Sequence, residues 1–188
     1  MFVALVPPDP VRAHLEAALG AVRDAGPGLR RTPPEQWHVT LAFLPGVDDA
    51  ALPELDERLA RAAARSAPVD TAVAGAGAFP RPSRAGVLWA GVDDPGGALR
   101  LLAARARAAA RRSGVDVGRG PFRAHLTLAR TSRPADLREA VQALAGYRGP
   151  AWRVEEVRLV ASRLGAGPGG RPEHGTVAVH PLRRTEIA

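Results

Sequence analysis

A chain of 188 residues with 46% hydrophobic side chains can bury one good core or two small ones, and its formal net charge of +7 suits a polyanionic partner, nucleic acid before others. It has no cysteine and all 26 basic residues are arginine, which excludes thiolate nucleophiles, disulfides, cysteine-held metal centres, Schiff bases and lysyl-nucleotide intermediates. No apolar stretch approaches the roughly 20 residues of a membrane span, and the opening run Met1–Val6 stops at Pro7-Pro8, too short for a signal segment, so no membrane partner and a cytoplasmic location are expected.

Phe2 to Val6 reads as a buried strand, and Pro7-Pro8-Asp9-Pro10 punctuates the chain before an amphipathic helix. That helix covers about Val11 to Asp24, with Leu15, Ala18, Leu19 and Val22 at helical spacing and Gly26-Pro27-Gly28 as its stop. A strand over Trp37 to Leu44 ends at Pro45-Gly46, and a second helix follows over about Ala51 to Ser66. Strands over about Val69 to Phe79 and Gly86 to Val92 flank the turn-rich Pro80-Arg81-Pro82-Ser83-Arg84. Next come a helix over about Gly97 to Ser113, a strand around Phe122 to Arg130 and a helix over about Ala135 to Leu144. Two last strands, Trp152 to Leu164 and Gly175 to Leu182, flank Gly165-Ala166-Gly167-Pro168-Gly169-Gly170. Each half reads helix, strand, helix, strand pair, with a junction near Asp93 to Gly97 and no linker composition between them. This order predicts an α+β fold of two pseudo-symmetric lobes with largely antiparallel sheets, residues 1–188 forming one bilobal domain.

The two single strands carry the same pattern, His38-Val39-Thr40-Leu41 and His125-Leu126-Thr127-Leu128. On a strand, a histidine and a threonine two positions apart point to one face, so each copy presents an imidazole beside a hydroxyl. Val39, Leu41, Leu126 and Leu128 then face the core, while small Ala42 and Ala129 share the polar face and leave room beside the hydroxyls. Two such copies facing one cleft place a general acid and a general base around one phosphate, with Thr40 and Thr127 holding its non-bridging oxygens. The residue types leave the two histidine roles symmetric. With imidazoles near their reference pKa of about 6.5, kcat/KM is expected to peak between roughly pH 6 and 8.

At these residues the chain resembles the 2H phosphoesterase superfamily, specifically the RNA 2′,3′-cyclic phosphodiesterases historically labelled 2′-5′ RNA ligases. The likeness runs through Phe2-Val3-Ala4-Leu5-Val6-Pro7-Pro8, the stretch Trp37 to Leu44, Gly86-Val87-Leu88-Trp89-Ala90-Gly91 and the stretch Pro121 to Arg130. It implies outer helices around a central basic cleft, and opening of an RNA-terminal 2′,3′-cyclic phosphate to a 2′-phosphomonoester without metal or cofactor. It also implies His38 as proton donor, His125 as acceptor and Arg130 as a phosphate contact. Strict alternation would turn Arg130 away from His125, so that contact requires the strand to end or bulge before it. Phe43 and Phe122 are candidates for stacking on a base or for core packing, with the core expected for Phe43.

Other patterns are set aside. Gly165, Gly167 and Gly170 satisfy G-x-G-x-x-G, but a strand follows instead of a helix, which makes this a mobile hairpin loop. His174 and His180 lack metal-ligand spacing, and Arg105, Arg107, Arg111 and Arg112 form a solvated helix face. The expected partner is RNA with a 2′,3′-cyclic phosphate end or a small cyclic nucleotide, met by a monomer. Two rival readings stay open: ligation of 2′-5′ junctions by reversal of the same chemistry, and an RNA-end-binding module without turnover.

Overall fold

A computed structural model of the chain describes residues 1–22, 28–163, 165–170 and 172–183. Strand β1 (Phe2–Leu5) is buried on both faces, as its unbroken apolar run requires. Helix α1 (Asp9–Ala18) starts after Pro8, with Asp9 and Pro10 in a first turn that suits an acid and a residue lacking an N–H. The short β2 (Leu29–Arg31) and the motif strand β3 (Val39–Phe43) precede α2 (Leu52–Ala64), whose Leu55, Leu59 and Ala63 face inward while Glu54–Arg58 and Glu57–Arg61 pair along its outer side. The long strands β4 (Val69–Arg81) and β5 (Arg84–Val92) lead to α3 (Ala98–Arg112), where the Asp94 carboxylate accepts from the N–H groups of Leu99 and Arg100. Then follow β6 (His125–Ala135), α4 (Arg138–Ala143), β7 (Arg148–Val154), β8 (Glu156–Arg163) and β9 (Glu173–Pro181).

The strands form one antiparallel sheet in the order β7-β4-β5-β6-β3-β1-β8-β9, with β2 added against β6. Two lobes meet between β6 and β3, and each contains strands from both halves of the sequence. The first-half pair β4-β5 completes the lobe of β6, and the second-half strand β8 with β9 completes the lobe of β3. Helices α2 and α3 pack on the β3 lobe, and α1 and α4 on the β6 lobe. The stretch around Asp93 to Gly97 is thus a crossing between lobes, and the halves are interleaved. Leu55 and Leu59 of α2, Leu99 and Ala103 of α3, and Val39, Leu41, Leu126 and Leu128 of the motif strands belong to one cluster of buried side chains. Each fully buried leucine in it contributes roughly 1.5 to 3 kcal/mol.

Several boundaries differ from the sequence reading. The first helix ends at Ala18 and continues as a 3-10 turn over Leu19–Val22, and its expected end at Asp24 and stop at Gly26-Pro27 lie outside the described residues. The single strand expected over Trp152 to Leu164 is two, β7 and β8, parted at Glu155, and Leu164 is again outside the described residues. Strand β6 runs on to Ala135, which shortens the following helix to six residues. Among the described residues no helix is long and apolar enough to cross a membrane.

Candidate active site

Strands β3 and β6 lie side by side at the centre of the sheet, antiparallel and bridged at Val39 and Leu126. Continuing that register puts His38 across from Thr127 and Thr40 across from His125, so the motifs meet head to tail about a pseudo-twofold axis. Val39 and Leu126 are fully buried on the helix side of the sheet. His38, Thr40, His125 and Thr127 all line one cleft of about 400 Å³ on the other side, a volume suited to a nucleotide-sized ligand.

Each motif carries a bulge at the same place. Val3 pairs with Ala42 but Ala4 with Thr40, leaving Leu41 extra, and Leu88 pairs with Ala129 but Trp89 with Thr127, leaving Leu128 extra. The extra residue reverses the alternation, so Leu41 and Ala42, like Leu128 and Ala129, are buried in succession, and Phe43 and Arg130 return to the cleft face. The bulge that the phosphate contact of Arg130 requires is therefore present. Two expectations are corrected by it. Ala42 and Ala129 face the core and not the hydroxyls, and Phe43, expected in the core, is 55% exposed and lines the cleft. Phe122 is half-buried against the core and lines a separate depression with Val92, Asp94, Arg100, Arg123 and Ala124, apart from the two histidines.

Both imidazoles are held alike. Nδ1 of His38 donates to the Gln36 carbonyl and Nδ1 of His125 to the Arg123 carbonyl, each at 2.7 Å. Because a carbonyl only accepts, Nδ1 carries a proton in each ring and Nε2 is left for chemistry. An aromatic ring backs each one. Phe2 stacks on His38 with ring centres 4.5 Å apart, and Phe79 meets His125 edge-on at 5.1 Å, with the Arg123 guanidinium 5.2 Å from the centre of the Trp89 ring beyond. Trp89 itself packs against Gly77, where an added Cβ would collide with the ring.

Burial on these apolar supports pushes both histidines below the ordinary imidazole range. His38 is lowered to about 4, chiefly by burial and then by the charges of His174, His125 and Arg130, against a raising effect of the Gln36 carbonyl. His125 is lowered by burial and by Arg123 and Arg130, with the Arg123 carbonyl acting the other way. The Thr40 and Thr127 hydroxyls make no hydrogen bond to protein among the described residues and are open to a ligand.

Sequence reasoning missed part of the lining: Phe2, Arg30, Gln36, Ser162 and His174. His174, weighed from sequence only as a metal ligand, meets His38 edge-on at 5.6 Å and Phe2 at 5.2 Å. Among the described residues the lining contains arginines and no carboxylate. Among the described residues, no group of three or more His, Asp or Glu side chains is placed to hold a metal ion.

The family model described as the 2′-5′ RNA ligase superfamily matches residues 7–166. An RNA 2′,3′-cyclic phosphodiesterase of Thermus thermophilus is 35% identical over 178 residues, 87% of this chain and 82% of that protein. Another of that name, from Geobacillus stearothermophilus, is 38% identical over 96 residues, 51% of this chain and 30% of that relative's length. The crystal structure of the Thermus thermophilus protein TT0787 is similar over 98% of both chains, with a TM-score of 0.79 and 31% identity.

Proposed function

This chain belongs to the 2′-5′ RNA ligase superfamily of 2H phosphoesterases, and from that membership we propose that it is an RNA 2′,3′-cyclic phosphodiesterase acting through His38 and His125. The observation that carries the reading is the head-to-tail meeting of the two motifs in one cleft, with both Nε2 atoms freed by their Nδ1 anchors. Water attacks the phosphorus of the cyclic ester and gives its proton to one imidazole. The bond from phosphorus to the ribose 3′-oxygen breaks, and the other imidazolium protonates that oxygen, leaving a 2′-phosphomonoester and a 3′-hydroxyl. Thr40, Thr127 and Arg130 hold the non-bridging oxygens as charge redistributes. The family likeness gives the donor role to His38 and the acceptor role to His125. Burial keeps His38 largely neutral at pH 7, so this assignment requires the substrate's phosphate anion to raise its proton affinity on binding.

The test is conversion of a 2′,3′-cyclic phosphate oligonucleotide to the 2′-phosphate, with turnover persisting in excess chelator and without ATP. Stoichiometric binding without product, or loss in chelator restored by one metal, overturns the reading.

The pH dependence follows from the lowered imidazoles. The base is lost on the acidic limb and the acid on the alkaline limb, and both groups of the free enzyme titrate below 6.5, one of them near 4. The maximum in kcat/KM is therefore expected between about pH 4 and 6.5, acid of the range that unperturbed imidazoles predict. In kcat the alkaline limb moves to higher pH, because bound phosphate favours the imidazolium. A kcat/KM maximum at or above pH 7 would show that the rings are not desolvated as described.

A further inference from the structure

Strand β2 sets Arg30 directly opposite Arg130 of β6, so the two side chains leave the sheet on one face, and both line the cleft. Like charges placed opposite each other across a strand pair repel. Among the described residues no carboxylate of the lining offsets them, and neither guanidinium has an ion-pair or hydrogen-bond partner. Arg31, also in the lining, differs in that its guanidinium donates to the Leu19 carbonyl. A cyclic phosphate carries a single negative charge, which Arg130 and the two motif hydroxyls already receive. The second guanidinium is left uncompensated.

We propose that Arg30 forms a second anion subsite beside the reacting phosphate, which takes the phosphate on the 5′ side of the terminal ribose and so selects oligonucleotide ends over simple nucleoside cyclic phosphates. The proposal rests on the phosphodiesterase reading and adds to it which substrate the cleft prefers. The phosphate is either an internucleotide diester or a 5′-terminal monoester, and three substrates separate these sources. They are a nucleoside 2′,3′-cyclic phosphate with a 5′-hydroxyl, the same compound with a 5′-phosphate, and a dinucleotide ending in the cyclic phosphate.

Wild-type kcat/KM is expected to be about tenfold or more higher for the second and third substrates than for the first, the size of one charge-assisted hydrogen bond. Arg30→Gln should abolish that preference by slowing the 5′-phosphate and dinucleotide substrates about tenfold or more relative to the 5′-hydroxyl substrate, and Arg30→Lys should retain part of it. The slope of log kcat/KM against log salt for the dinucleotide should become shallower by about one in Arg30→Gln. Equal slowing of all three substrates would assign Arg30 to the reacting phosphate, and no slowing of any would remove it from the site; either result overturns the proposal. A preference for the dinucleotide that Arg30→Gln leaves intact would do the same, by assigning selectivity to the added nucleoside. Dissociation constants for a nucleoside 2′-phosphate and 2′,5′-bisphosphate on the same proteins repeat the comparison without turnover. Tighter binding of the bisphosphate that Arg30→Gln abolishes, in a wild-type protein that hydrolyses nothing, would uphold the subsite and refute the phosphodiesterase.

Discussion

His38→Ala and His125→Ala should each lower the rate of the proposed cyclic phosphate hydrolysis by about 10²- to 10⁴-fold, the usual worth of a positioned general acid or base. Each ring lies on an aromatic support on the cleft face of the sheet and contributes nothing to the helix side, so both variants should keep their circular dichroism and melt cooperatively. Folded variants with wild-type turnover would dispose of the two-histidine mechanism. The pair also separates donor from acceptor. A substrate whose leaving group departs without a proton no longer needs the acid, so removing the acid costs far less on it than removing the base. The family likeness predicts recovery in His38→Ala, whereas the burial of His38, the deeper of the two rings, favours its neutral, accepting form. Recovery in His125→Ala instead would exchange the roles and agree with the ligand-free electrostatics.

Thr40→Val and Thr127→Val should each cost about 1 to 3 kcal/mol of transition-state stabilisation, roughly 5- to 150-fold in rate. The structure makes this a clean measurement. Neither hydroxyl bonds to protein among the described residues, so replacing it with a methyl leaves no protein donor or acceptor orphaned, and the melting temperature should hold. The pseudo-twofold arrangement adds a condition, because Thr40 lies across from His125 and Thr127 across from His38. Both replacements should then slow the reaction. Unchanged kinetics in both variants would make the hydroxyls structural and leave the phosphate oxygens to Arg130.

The motif strands, their inward leucines and the polar face of His38, Thr40, His125 and Thr127 were legible because alternation on a strand is a local rule. What a local rule cannot show is where it breaks. The bulges at Leu41 and Leu128 leave no mark on composition, which is why Phe43 and the two alanines fall on the wrong face when parity is counted through them. Arg130 was the exception, since a contact demanded of it implied the break. Strand β2 is three residues with two arginines, too short for periodicity, and Arg30 went unnoticed with it. The corner at Glu155 has neither glycine nor proline to announce it. Phe2 and His174 reach the site through pairings of β1 with β8 and β8 with β9, and pairings between distant segments are not written in either partner alone.

The interleaving of the halves bears on how the molecule comes into being during synthesis. The wall behind His38 is built from Phe2 and from β8 and His174, which are synthesised more than 150 residues later. A nascent chain that has displayed both histidines still has β1 without its outer neighbour and Phe2 without its cover. Contacts of such long sequence separation form late, because the loop they close is more than 150 residues long. Translation must therefore pass β9 before the cleft is complete, and the nascent chain carries both motifs well before it carries a working site.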